Sequence, residues 1–215
     1  MKLNIIVPDN LNDITLEQYQ KFAKLNTKEN EGSAFLLHKM IEIFCNVNLK
    51  DIATIKYNDV QKIAEHLNKI FDVKPNLINT FILDDIEYGF IPQLDDMTLG
   101  EYIDLDNYLG DWDNIHKAMA VLYRPIKNKK EHRYQIQNYK GANNKLIKMP
   151  VDVVLGSMGF FYNLSNELLT TTLSFLQDEI PNSLTSQQRE ALERSGVSTN
   201  QFGDLLKGML PDLMQ

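Results

Sequence analysis

From Pro150 to about Asp178 the residues Val151, Val154, Leu155, Met158, Phe161, Leu164, Leu168, Thr172, Phe175 and Leu176 return at helical spacing. They predict one unbroken helix of roughly 29 residues, about 43 Å long at 1.5 Å per residue. An element of that length outruns the core of a small domain. Pro150 suits the start of such a helix, because its φ is already helical and its missing N–H would have had no partner. Gly156 and Gly159 interrupt the stripe, where they bend the helix or let another helix approach closely.

Upstream, three further stretches carry the helical period. Thr15 precedes Leu16, Tyr19, Phe22 and Leu25; a second helix spans about Ser33 to Cys45, apolar around most of its circumference; a third spans Asp59 to Phe71, with Val60, Ile63, Leu67 and Ile70 inward. Residues 3–7 read as a short strand. Residues 80–91 change to a β pattern, two runs across Asp84-Asp85, and Pro92 ends the hairpin. The N-terminal strand is expected to pair with it, since a lone hairpin is marginal. Thr98 and Glu101 have capping-box spacing and start a helix that turns Tyr102 and Leu105 inward. Another helix runs from Asp111 to Tyr123 and stops before Pro125.

The expected fold is therefore mainly α: a helical domain over residues 1–180 with a small antiparallel hairpin near 80–91, a basic insertion at 124–148, and a C-terminal extension at 181–215. The insertion contains a candidate short strand, Tyr134 to Tyr139, and a turn at Lys140 to Lys145. Hydrophobic residues at 43% and charged residues at 24% suit one ordinary globular core.

Charge is divided unevenly. Between Arg124 and Lys148 eight cations (Arg124, Lys127, Lys129, Lys130, Arg133, Lys140, Lys145, Lys148) face one acid, Glu131, in a chain whose net charge is −7. The acids crowd upstream, from Asp84 to Asp113. The balance argues against a protein that coats nucleic acid over its whole surface. It favours one that lies against a charged partner or against copies of itself. The basic segment is expected to meet an acidic surface, with the 95–113 block of another copy as a candidate. DNA contact through the same segment is the alternative, with Tyr134 and Tyr139 available to stack on bases.

Motifs for chemistry fail in turn. There is no phosphate-binding glycine loop, no paired-histidine zinc helix and no cysteine cluster. A calcium loop beginning at Asp104 would need Gly and Glu where Leu109 and Ile115 stand. Gly156-Ser157-Met-Gly159 lacks the spacing of a nucleophile elbow, and Ser157 reads as a helix-packing residue. Trp112 reads as a core anchor. The single Cys45 lies in an apolar run and reads as a buried inert thiol. The chain is expected to be non-enzymatic, with no cofactor and no metal.

The C-terminal extension carries a polar helix near 186–195 and then Phe202, Leu205, Leu206, Met209, Leu210 and Leu213 at near-helical spacing. This pattern suggests an apolar hook that docks on a partner, a neighbouring subunit or its own domain. The residues expected to bind a partner are thus Arg124, Lys127, Lys129, Lys130 and Arg133 in the basic segment, with Phe202, Leu205, Leu206 and Met209 in the hook. The short apolar start ends at Pro8, no window is long enough to span a membrane, and the chain is expected to be soluble and intracellular.

Three stretches, Tyr88-Gly-Phe-Ile-Pro-Gln-Leu-Asp-Asp-Met-Thr-Leu-Gly-Glu-Tyr-Ile-Asp-Leu105, His116-Lys-Ala-Met-Ala-Val-Leu-Tyr-Arg-Pro125 and Gly159-Phe-Phe-Tyr-Asn-Leu-Ser-Asn-Glu-Leu168, together resemble small proteins from the structural-gene regions of tailed bacteriophages, including crAss-like phages. The resemblance covers about residues 80–176 and rests on apolar anchors and turns. It implies a virion or virion-assembly protein, in the particle or the host cytoplasm, that works through other virion or assembly proteins and as an oligomer. A portal-proximal ring or connector, or a packaged cargo protein, fits that description. The competing readings are a tail assembly chaperone, a nucleic-acid-binding protein using 124–148, and a metal-dependent enzyme using Asp104, Asp106, Asp111 and His116.

Overall fold

The computed structural model describes residues 5–131 and 133–179. Its first part is helical: α1 (Leu16–Ala23), α2 (Ala34–Phe44), the single turn α3 (Leu49–Ile52) and α4 (Tyr57–Phe71). Thr15 and Ser33 cap α1 and α2, each hydroxyl accepting a backbone N–H from the first turn. The chain then forms β1 (Thr80–Leu83) and β2 (Ile86–Phe90), followed by α5 (Leu99–Leu109) and α6 (Ile115–Leu122). It returns as β3 (Tyr123–Lys130) and β4 (Arg133–Ile136) and ends in α7 (Val151–Glu179).

The four strands form one antiparallel sheet in the order β1-β2-β3-β4. Asp84 and Asp85 both take positive φ, 50° and 60°, which gives the tight β1–β2 turn the twist its strands need. The fold is therefore mixed α and β, and the expectation of a mainly α domain is corrected. Half of the sheet comes from the segment read as a basic insertion. β4 overlaps the candidate strand Tyr134 to Tyr139 at residues 134–136, but two features hid β3. β3 begins at the residue after α6 with no intervening loop, and a register shift between Ile126 and Asn128 breaks the alternation that marks a strand. Of the expected N-terminal strand, residues 5–7 pair with nothing in the sheet, which β3 and β4 complete instead, and residues 3 and 4 lie outside the described residues.

Two apolar clusters hold the molecule together. Phe81, Tyr88, Phe90 and Tyr123 line one face of the sheet and pack on Val153, Val154 and Met158 of α7. Tyr19, Ile41, Phe44, Leu67 and Ile70 form the second cluster among α1, α2 and α4, closed by Val151 and Leu155. The first two turns of α7 therefore serve both cores. Each such buried side chain contributes about 1.5–3 kcal/mol before ordering costs. The start of α7 is also tied to the start of α1: the Leu16 N–H donates to the Met149 carbonyl and the Val151 N–H to the Ile14 carbonyl, each at 2.8 Å. Pro150 bridges Thr15 and stands immediately before the helix.

Within α7 the two glycines behave differently. A Cβ on Gly156 would lie 2.2 Å from the Asn76 carbonyl oxygen, so this glycine admits the backbone that leads into β1. A Cβ on Gly159 would meet nothing within 4 Å. Among the described residues no helix is long and apolar enough to cross a membrane.

Candidate functional site

Helix α5 carries two contrasting faces. Its start is fixed by a capping box, in which the Thr98 hydroxyl accepts the Glu101 N–H while the Glu101 carboxylate accepts the Thr98 N–H and hydroxyl, each of the latter at 2.7 Å. Glu101 and Leu105 then face inward. On the other side Leu99, Tyr102 and Ile103 are 75%, 60% and 48% exposed. Asp106 follows on that face, and Asp95 and Asp96 are exposed just before the helix. Tyr102, expected inward, is thus part of a solvent-facing apolar stripe with an acidic margin. The i, i+3, i+4, i+7 spacing of positions 99, 102, 103 and 106 is legible in sequence. What is not legible is that Glu101 takes the buried side.

Glu101 takes that side because Arg124 waits there. Arg124 Nη1 lies 2.6 Å from Glu101 Oε1, and both side chains are almost out of water. In β3 the strand alternation turns Tyr123 into the sheet's core and Arg124 to the opposite face. The guanidinium also sits over the Tyr139 ring, 6.0 Å from its centroid, and the Tyr139 hydroxyl donates to Asp104 on α5. Burial works to raise the Glu101 carboxyl, but the Thr98 hydrogen bonds and the Arg124 charge outweigh it and hold the group below its usual value of 4.5. Burial, reinforced by the Asp104 carboxylate, pushes the Tyr139 hydroxyl well above the usual tyrosine range. This cluster clamps α5 to the sheet, and it removes Arg124 from the cations that a partner can reach.

The remaining cations of the segment separate in the same way. Lys129 is paired with Glu87 on β2, and Lys127 donates to Asn138 at 3.3 Å while remaining exposed. Lys130 and Arg133 pair opposite each other at the far end of the β3–β4 hairpin, both exposed. Tyr134 and Tyr139, considered above for base stacking, are both engaged. The Tyr134 hydroxyl donates to the Phe90 and Asn79 carbonyls, at 2.8 and 3.2 Å. The hook residues Phe202, Leu205, Leu206 and Met209, and the whole 181–215 extension, lie outside the described residues.

Apart from Asp106, exposed on α5, the candidate chemical groups are bound into the structure. His116 is buried, with Nδ1 3.4 Å from the Gln20 amide nitrogen and Nε2 2.9 Å from Asn144 Oδ1. Since the Gln20 amide also donates to the Trp112 carbonyl at 2.6 Å, the network uses the tautomer with hydrogen on Nε2. Asp111 accepts from the Asp113 N–H and the Asn114 amide at the entry to α6. No group of three or more metal-ligating side chains is placed to hold an ion among the described residues. Ser157 is fully buried, donates to the Val153 carbonyl and contacts the Tyr123 hydroxyl at 2.8 Å, which is a packing role. Trp112 is half-buried between the two cores, its ring 5.1 Å from that of Tyr19.

A groove of about 1200 Å³ runs between α1, α2 and α4, over Phe22, Leu37, Ile55 and Phe71. It is lined by apolar and polar groups, with Glu31, His38, Asp72 and Lys74 among them. No protein-family model matches the chain, and no curated protein or solved structure matches it either.

Proposed function

We propose that this chain is a non-enzymatic structural or assembly component of a tailed-phage virion, a portal-proximal ring or connector or a cargo protein, acting through protein–protein surfaces. One observation carries the reading. Of the side chains weighed for chemistry, His116, Asp104, Asp111 and Ser157 are engaged in internal bonds, while Asp106 stands exposed on α5 apart from them. Among the exposed groups, α5 presents Leu99, Tyr102 and Ile103 beside Asp95, Asp96 and Asp106, while the β3–β4 hairpin presents Lys127, Lys130 and Arg133. Segregated charge orients association and raises its rate while adding little to folding. The resemblance of 88–105, 116–125 and 159–168 to proteins of phage structural-gene regions supports the same class. The packing of the Tyr134 ring against Gly89 and of Arg124 over the Tyr139 ring favours the protein-contact reading over base stacking.

Co-purification tests the proposal. The full chain, expressed together with the products of its neighbouring genes, should be retained in a defined complex and should appear in purified particles or assembly intermediates. A chain that binds none of them, and whose melting temperature rises by several degrees with a divalent cation, belongs to the metal-dependent class instead.

A further inference from the structure

We propose that the exposed face of α5 receives the β3–β4 hairpin of a second copy of this chain, head to tail. The inference rests on the assembly reading above and names its interface. Leu99, Tyr102 and Ile103 form an apolar stripe on α5, bordered by exposed Asp95, Asp96 and Asp106. An α5–α5 contact about a two-fold axis would oppose these acidic margins, so the stripe calls for a cationic occupant. The hairpin is that occupant. Lys127, Lys130 and Arg133 are exposed on it, and Lys and Arg have long aliphatic stems that cover apolar surface while their charged heads reach outward.

The chemistry has precedents inside the molecule. Lys117 lies 5.1 Å from the centre of the Tyr108 ring, and Arg124 sits over Tyr139 while bonded to Glu101. Arg133 over Tyr102, with Lys130 on Asp106, repeats that pattern between copies. The hairpin does not serve its own α5. The chain is clamped to α5 at Arg124, and Lys130 stands six residues further along β3, about 20 Å away at the rise of a strand. Two different patches meeting head to tail close into a ring or extend as a filament.

The test is a charge exchange read by sedimentation and light scattering on the full chain at low and high salt. Wild type should associate at low salt and dissociate as salt rises. Lys130→Glu/Arg133→Glu should weaken association about tenfold or more, and Asp95→Lys/Asp106→Lys should do the same. Combining all four should restore it to within about threefold, because coupled charges are not additive. Each variant should melt within a few degrees of wild type, which separates lost contact from lost fold. Association unchanged by either pair, or not restored by the combination, overturns the interface. So does association that appears only with added DNA, or only after residues 182–215 are removed, when the extension would be the true cover of the stripe. A chain that stays monomeric yet still co-purifies with its neighbours' products overturns this interface and leaves the assembly reading standing.

Discussion

The ring of Tyr134 on β4 lies over Gly89 on β2, where a Cβ on the glycine would come within 2.5 Å of ring carbon Cε2. β3 runs between the two strands, so the ring reaches across it, and the hydroxyl ends on the Phe90 and Asn79 carbonyls. The missing side chain at Gly89 makes the space that the aromatic fills, and the pair fastens the basic hairpin to the rest of the sheet.

Gly89→Ala should therefore expel the ring and strand its hydroxyl. The expected cost is about 1–3 kcal/mol from overpacking. Tyr134→Phe keeps the ring and loses only the hydrogen bonds, about 0.5–1.5 kcal/mol. The double variant should cost clearly less than the sum, since both changes remove one contact. Additive values in denaturant titrations would refute the pairing.

The two glycines of α7 predict opposite outcomes from one substitution. Gly156→Ala places a methyl group 2.2 Å from the Asn76 oxygen, a backbone atom that cannot swing away. Its cost, about 1–3 kcal/mol, exceeds the roughly 1 kcal/mol of helix propensity that alanine adds. Gly159→Ala meets open space and should leave stability unchanged or raise it by about 0.5–1 kcal/mol. Thermal melts of the two single variants check this, and equal shifts of the same sign would contradict it.

The contrast between these glycines also shows where sequence reasoning stops. The apolar stripe of α7 is periodic, so the helix is legible, but which glycine faces another backbone depends on Asn76, far away in the chain. The same holds for the sheet. Asp84-Asp85 announces β1 and β2 locally, whereas β3 starts with Tyr-Arg-Pro-Ile and ends in Lys-Asn-Lys-Lys, a pattern without strand alternation that is held by its neighbours' backbone. Lys127, Lys130 and Arg133 are exposed, as a solvated charge run suggests. Arg124 belongs to the same run and is buried, because Glu101, held by Thr98 at the start of α5, needs a counter-charge there. The exposed stripe at Leu99, Tyr102 and Ile103 is the consequence on the opposite side of that helix. Positions 102 and 105 share a helix face, and so do positions 99, 102 and 103; only the buried ion pair decides which of the two turns inward.

Cys45 should be inert in the native state. Its side chain is buried at the end of α2, and burial pushes its thiol up to about 11. Little thiolate exists at neutral pH. A thiol reagent should modify it slowly in the folded protein and fully, at ordinary rates, in denaturant. Rapid stoichiometric modification without unfolding would be incompatible with this packing.

The clamp between Glu101 and Arg124 gives a pH dependence with a fixed sign. Glu101 has a folded value below 4.5, so the native state favours its ionised form more than the unfolded chain does. Its contribution to stability is fully present above about pH 4.5 and is lost as pH falls through the lower folded value. Wild type should therefore lose stability in that acid range, and Glu101→Gln, which keeps the capping geometry without the charge, should lose less over the same interval. Arg124→Met leaves the buried carboxylate without its counter-charge and should cost about 3–5 kcal/mol near neutral pH. Adding Glu101→Gln to Arg124→Met should recover part of that loss, because the stranded charge goes with it. Melting curves of the four proteins from neutral to acid pH decide the matter: parallel pH profiles for wild type and Glu101→Gln, or no recovery in the double variant, would show that the pair does not hold α5 to the sheet.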